Sequence, residues 1–335
     1  MPVGRRLVLG GLGALALTLP GAAQGAPWRA ACGFAESNYH TRNLRIMIAE
    51  VAEATGDALA IDLHAAGTLF PQRKIFRAVQ ENVVQLGDIL LAAYGNYDPI
   101  FDADGIPGLV RNENDARRML ALQEPLIEAR FTRQGLRLLY LAPWAHLGIV
   151  ANDRLEGPAA LRGMSVRSFG PMSTRFATLL GARSSVVDAL VVRLRQAAGD
   201  FGAQLTTAVV AADNAAWDQG RFFIHTRLAT SKNAVFVNRR AFDQLRASQR
   251  DALLAAAEAA GHRAWGMAET AQVEAETLLQ SHGMQVMEAS PALAAAMEQV
   301  GARMLAEWEL RAGEEGRRLL AAYADSGARA SLKQP

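Results

Sequence analysis

Arg167 closes a short run of strand-forming residues, 164–167, that passes through Ser168, Phe169, Gly170 and Pro171 into a helical pattern ending at Gly181. A strand that feeds a loop opening a helix places its last side chain and the helix's first amides at the carboxyl edge of a sheet. Open α/β domains hold their ligands there. A guanidinium at that edge grips a carboxylate through two parallel charge-assisted hydrogen bonds. An arginine at a strand end also commonly forms a salt bridge with an acid of its own chain, and the local sequence leaves both readings open. The same edge rule points Asn38, Tyr39, Thr68, Tyr94 and Asn96 at the cleft, since each follows an expected strand, although any one of them taken alone reads more readily as an ordinary polar loop residue.

Catalytic and metal chemistry find no such support. The histidines at 40, 64, 146, 225, 262 and 282 are scattered without metal-ligand spacing. Gly163-Met164-Ser165-Val166-Arg167 lacks the second glycine of a nucleophile elbow, and no glycine-rich loop ends in Lys-Ser or Lys-Thr. Gly11-Leu12-Gly13-Ala14-Leu15-Ala16 imitates a dinucleotide fingerprint but has no strand before it. The reading is a binding protein that is not an enzyme, with no cofactor and no metal.

The elements that must position Arg167 lie behind an export signal. Arg5 and Arg6, an apolar run and a small-residue stretch up to Ala26 form a secretory leader, residues 1–26, cut just before Ala26 or Pro27. The arginine pair permits twin-arginine export, and Sec export fits as well. Its loss cancels the formal charge of +2, so nothing recommends nucleic acid or an anionic membrane as a partner. The chain has 335 residues, 50% of them apolar, and a single cysteine, Cys32. That is enough for two packed lobes and too little sulfur for a disulfide framework. The expectation is a periplasmic monomer.

Apolar alternation and helical periodicity predict strand, helix, strand, helix, strand over 28–34, 41–54, 59–63, 72–82 and 88–91, which is a parallel α/β sheet. A helix over 113–130 and strands over 136–141 and 146–151 then cross into a second lobe. Strands are expected at 164–167, 184–187, 221–226, 233–237 and 284–287, with 199–212 poorly defined. From Ser248, read as an N-cap, one helical pattern runs to Gln280, and 291–323 is helical with an interruption near Gly313. The expected layout is lobe I at 27–150 with a return of roughly 235–290, lobe II at 151–234, a spanning helix at 248–280 and C-terminal helices at 291–328.

Five blocks in order carry a resemblance to a known family: Ser37-Asn38-Tyr39-His40 with EVAEATG; AAGTLF with QENVVQLGDILL; 101–118 containing Ile106-Pro107-Gly108; LRGMSVR with LLGA; and VFVNRRAFDQLRASQRDALLAAAEAA. From Phe34 to about Tyr323 the chain resembles the solute-binding proteins of tripartite ATP-independent periplasmic (TRAP) transporters, the DctP-like family. The resemblance implies a two-lobed periplasmic-binding-protein fold of type II character, hinged by strands and braced by a long helix. It implies a small organic acid caught between closing lobes and delivered to the integral membrane permease subunits, with Arg167 as the carboxylate clamp. Implied ligand neighbours are Phe169, Trp144, His146, Thr206 and Trp217 together with the strand-edge residues above; Arg227, just after a strand, reads equally as a replacement for lost positive charge or as a solvent-facing arginine. Two departures stand out. Many members carry a second arginine on the strand that here reads Trp144-Ala145-His146-Leu147-Gly148, and Thr206 occupies the place of a ligand-facing Asn. A sensor or adaptor for a signalling receptor would use the same fold, and so would a scaffold whose altered 199–212 segment no longer binds.

Overall fold

The computed structural model describes residues 26–226 and 229–331. The expected leader lies outside the described residues apart from Ala26, and so does Arg227. The chain opens with β1 (Trp28–Cys32), α1 (Tyr39–Thr55), β2 (Ile61–His64), α2 (Gln72–Gln80) and β3 (Leu86–Leu90), followed by α3 (Glu113–Arg133) and β4 (Leu136–Pro143). It continues with β5 (Leu147–Ala151), β6 (Ser165–Ser168), α4 (Pro171–Leu179), β7 (Arg183–Val186), α5 (Val192–Ala197), β8 (Ala203–Thr207), α6 (Ala208–Asp213) and β9 (Phe222–His225). It ends with β10 (Lys232–Asn238), α7 (Arg239–Asp243), α8 (Ala247–Ser281), β11 (Gln285–Glu288) and α9 (Pro291–Ser331).

Two sheets result, ordered β2-β1-β3-β10-β4 and β11-β9-β5-β8-β6-β7. β1, β2 and β3 are parallel because α1 and α2 carry the chain back to the starting edge each time. β6, β7 and β8 are parallel for the same reason. The consecutive strands β4 and β5 belong to different sheets, so the chain crosses between lobes there, and it crosses back between β9 and β10. This is the two-lobed α/β arrangement with strand hinges.

α8 packs against α1 and β4 of the first lobe and against α6 and β11 of the second. Its buried stripe is largely alanine, with Ala256, Ala257, Ala260, Ala264, Ala268, Ala271 and Ala275, and small side chains let the helix lie close to both lobes. Asn43 Nδ2 donates to the Ala260 carbonyl at 2.9 Å, and Arg263 pairs with Glu50, which fastens α8 to α1. α9 bends at Gly313, whose φ of 62° and ψ of −145° are open only to glycine. It packs on α3 and α4, so it too touches both lobes.

The structure differs from the sequence expectation at several boundaries. α1 starts at Tyr39, because the Asn38 side chain accepts from the His40 amide and caps the helix, so 39–40 belong to a helix and not to a loop. Ser248 is not a cap, since the Gln249 side chain accepts from the Arg246 amide and starts α8 one residue earlier than expected. The segment 199–212 forms β8 and α6. β11 pairs with β9 in the second sheet, so the return to the first lobe stops short of it.

Candidate ligand-binding site

The parallel strands β6, β7 and β8 end at one edge of the second sheet, and Arg167 sits among their ends. Val166 points into the core, so alternation sends Arg167 to the other face. Arg167 is 3% exposed. Nε donates to Val187 O at 2.9 Å and Nη1 donates to Leu205 O at 2.8 Å. The Val187 carbonyl lies just past the end of β7 and the Leu205 carbonyl lies within β8, and together they fix the plane of the fork. Among the described residues no carboxylate stands within salt-bridge distance of Arg167, so the simple structural ion pair does not hold. Burial pulls its pKa down to about 10, with Asp188 opposing and Arg73 adding to the fall, and it remains a cation at neutral pH. The Phe169 ring lies 5.7 Å from the guanidinium carbon.

The loop beyond Arg167 is built by Ser173 and Pro171. Pro171 takes the first helical position of α4, where a missing amide costs nothing. Ser173 Oγ accepts from the amides of Phe169 and Gly170 at 3.1 Å each, which satisfies the strand-to-helix turn.

Arg167 opens into a cleft between the lobes that encloses about 960 Å³ of space free of atoms, part of it open to solvent. Phe34 and Trp144 of the first lobe face Phe169 and Phe176 of the second, and the hydroxyls of Ser173, Thr206, Thr207, Thr230 and Ser231 supply most of the polar lining. Arg167 and Asp188 are its charged residues among those described. Trp144 is held from behind: its Nε1 donates to Asn233 Oδ1 at 2.7 Å, and Asn233 Nδ2 donates to Asp88 at 2.8 Å. Its ring packs edge-on against Phe34 at 5.1 Å and lies 4.3 Å from His40.

The lobes also touch at the rim. Arg73 of α2 pairs with Asp188 at 3.2 Å and donates to Phe169 O at 3.4 Å. Ser37 and Asn38 both donate to Asp213 at 2.9 Å. These contacts define a closed form.

Of the expected ligand neighbours, Arg167, Phe169, Trp144 and Thr206 line the cleft. The others described do not, each for a physical reason. Tyr39 lies in the core as the first residue of α1, its hydroxyl donating to Pro143 O at 2.6 Å. Asn38 is used by the helix cap and by Asp213. Thr68 donates to Ala65 O within its own turn, and Tyr94 donates to Gln72 O. Asn96 is exposed. Trp217 stacks on His282 at 3.9 Å, away from the lining, and His146 is half-buried outside it. The sequence reading missed Asp188 and Thr207, although Asp188 follows the end of β7, Thr207 is the last residue of β8, and the strand-edge rule reaches both. It also missed Phe34, Gln72 and Ser173.

The five-block order, the double sheet and the interlobe cleft agree with a model of bacterial extracellular solute-binding proteins, family 7 (DctP), which matches residues 34–310. The chain belongs to that family. Its fold is shared by DctP7, a Bordetella pertussis extracytoplasmic solute receptor binding pyroglutamic acid, at 32% identity and a TM-score of 0.88, covering 90% of this chain and 100% of that one. DctP6 of the same organism, also described as binding pyroglutamic acid, is 29% identical with a TM-score of 0.87, covering 89% and 99%. A marine metagenome TRAP solute-binding protein complexed with co-purified pyroglutamate is 25% identical with a TM-score of 0.88, covering 90% and 99%. No curated protein matches the chain. Among the described residues no helix is long and apolar enough to cross a membrane, and no cluster of His, Cys, Asp or Glu could hold a metal ion.

Proposed function

We propose that this chain works in the periplasm, after loss of its leader, as the receptor of a TRAP transporter. It captures a small organic acid through Arg167 and presents the closed complex to the integral membrane permease subunits. One observation carries the reading: a buried guanidinium with no carboxylate partner among the described residues, held open to an interlobe cleft walled by aromatic rings. Such a cation is costly until an anion joins it, and closure of the lobes removes the water that would otherwise screen the pair. The ligand's own affinity for the closed form then sets the balance between open and closed states.

Pyroglutamate, which three relatives bind, is the first acid to test. It offers one carboxylate to Arg167, a lactam amide to the hydroxyls of Thr206, Thr207, Thr230 and Ser231, and ring methylenes to Trp144 and Phe34. Saturating pyroglutamate is expected to raise the melting temperature by several degrees, as ligand at a hundredfold excess over Kd stabilises by about 2.7 kcal/mol. Arg167→Lys is expected to weaken binding at least tenfold, since an ammonium cannot reproduce the fork. No shift across a broad panel of small carboxylates, with Arg167→Ala indistinguishable from wild type, would overturn the proposal.

A further inference from the structure

Three charged side chains alternate in sign across the rim of the cleft. Arg167 and Asp188 belong to the second lobe, and Arg73, on α2, belongs to the first. Asp188 lines the cleft and its charge supports the Arg167 cation, whereas Arg73 opposes that cation. Yet Arg73 is the residue that pairs with Asp188, at 3.2 Å, while its Nη2 reaches the carbonyl of Phe169, two residues past Arg167. Both acceptors stand on the opposite lobe, so these two bonds exist only when the cleft is shut.

The charge count gives this contact a second consequence. Without Arg73, Asp188 offsets Arg167 and the described lining has no net charge. With Arg73 docked, Asp188 is engaged elsewhere and the set of three carries a single positive charge. One ligand carboxylate brings it to zero. A second carboxylate would be enclosed among Phe34, Trp144, Phe169 and Phe176 without a counter-charge from the described lining, and a buried unpaired charge is strongly disfavoured.

We propose that Asp188 and Arg73 set the charge of the ligand: Arg73 docks on Asp188 as the lobes close, which frees Arg167 for one carboxylate and selects against two. The inference rests on Arg167 being the anion clamp. Neither residue needs to touch the ligand for this role, which makes Arg73 a positioning residue and Asp188 a specificity residue. Both side chains are about two-fifths exposed, so their replacement leaves the folded core intact.

The test is calorimetric titration of the wild type, Arg73→Gln and Asp188→Asn with two acids of five carbons, pyroglutamate with one carboxylate and glutarate with two. The wild type is expected to favour pyroglutamate at least tenfold. Asp188→Asn, which leaves a net charge of two, is expected to tighten glutarate about tenfold relative to pyroglutamate. Arg73→Gln is expected to weaken pyroglutamate about fivefold, the effect of one half-exposed ion pair, and to weaken glutarate further. Both variants keeping the wild-type ratio, while Arg167→Lys loses pyroglutamate, would overturn the charge-setting role and leave the clamp standing. Wild-type preference for glutarate would also overturn it. A wild type that binds neither acid, shows no melting shift across the panel of small carboxylates and matches Arg167→Ala throughout would overturn the clamp reading and this inference together.

Discussion

Asp102 shows at the scale of one residue what burial does to a titratable group. It is completely buried in the short 3-10 helix Pro99–Gly105 before α3, neither carboxylate oxygen has a hydrogen-bond partner, and Arg311 stands 4.0 Å away. Desolvation pushes its pKa up to about 7. Below about pH 4 the group is protonated in both folded and unfolded chains and contributes nothing to the pH dependence. As pH rises towards 7 the unfolded chain releases the proton first, so the native state progressively loses stability. Asp102→Asn removes that loss. Its melting temperature is expected to exceed the wild type's by a few degrees near pH 8 and to coincide with it near pH 4; a gain of equal size at both would refute the account. Comparing the variant with the wild type is essential because His40 runs the other way. Burial holds His40 down to about 3, so its contribution is present above about pH 6.5 and is lost as pH falls.

Between β6 and α4 the element scale turns on Gly170. Its φ of −169° is extended backbone that any residue adopts, so conformation does not demand glycine there. Space does, since a Cβ would lie 2.5 Å from the carbonyl oxygen of Ala92. Ala92 belongs to the turn after β3 in the first lobe, so the clash arises only when the cleft closes. Gly170→Ala is therefore expected to weaken ligand binding tenfold or more while leaving the unliganded melting temperature nearly unchanged; an equal loss of both would place the contact within the folding core. The strand-loop-helix around Gly170 was legible because Pro171 and Gly181 punctuate it, just as Gly56 and Gly283 mark the ends of α1 and α8. Side-chain direction at the strand edges was less so. Whether Tyr39 lies in the loop before the helix or is its first residue decides between cleft and core, and only the bond from the His40 amide to Asn38 settles it. The segment 199–212 shows no clear apolar period, which left Thr207 without a strand end to be assigned to, whereas Asp188 directly follows the expected strand at 184–187 and was passed over as the start of the next helical pattern.

Considered as a whole molecule, the two lobes share too much chain to behave as separate bodies. The polypeptide passes between the sheets from β4 to β5 and from β9 to β10, and β11 returns to the second sheet after α8. α8 and α9 each pack on elements of both lobes. Neither sheet can therefore unfold without stripping the alanine face of α8 from its partners and exposing the Asn43 and Arg263 bonds that hold it. The rim contacts are of a different kind, because Arg73–Asp188 is a half-exposed ion pair, and such pairs are worth about 0–1 kcal/mol. Opening the cleft breaks weak bonds at the rim, whereas separating the lobes breaks the shared core. Scanning calorimetry without ligand is accordingly expected to give one cooperative transition, with the calorimetric and van't Hoff enthalpies in agreement. Two resolved transitions would mean that α8 and the hinge strands do not couple the lobes, and closure would then have to be described as the docking of independent domains.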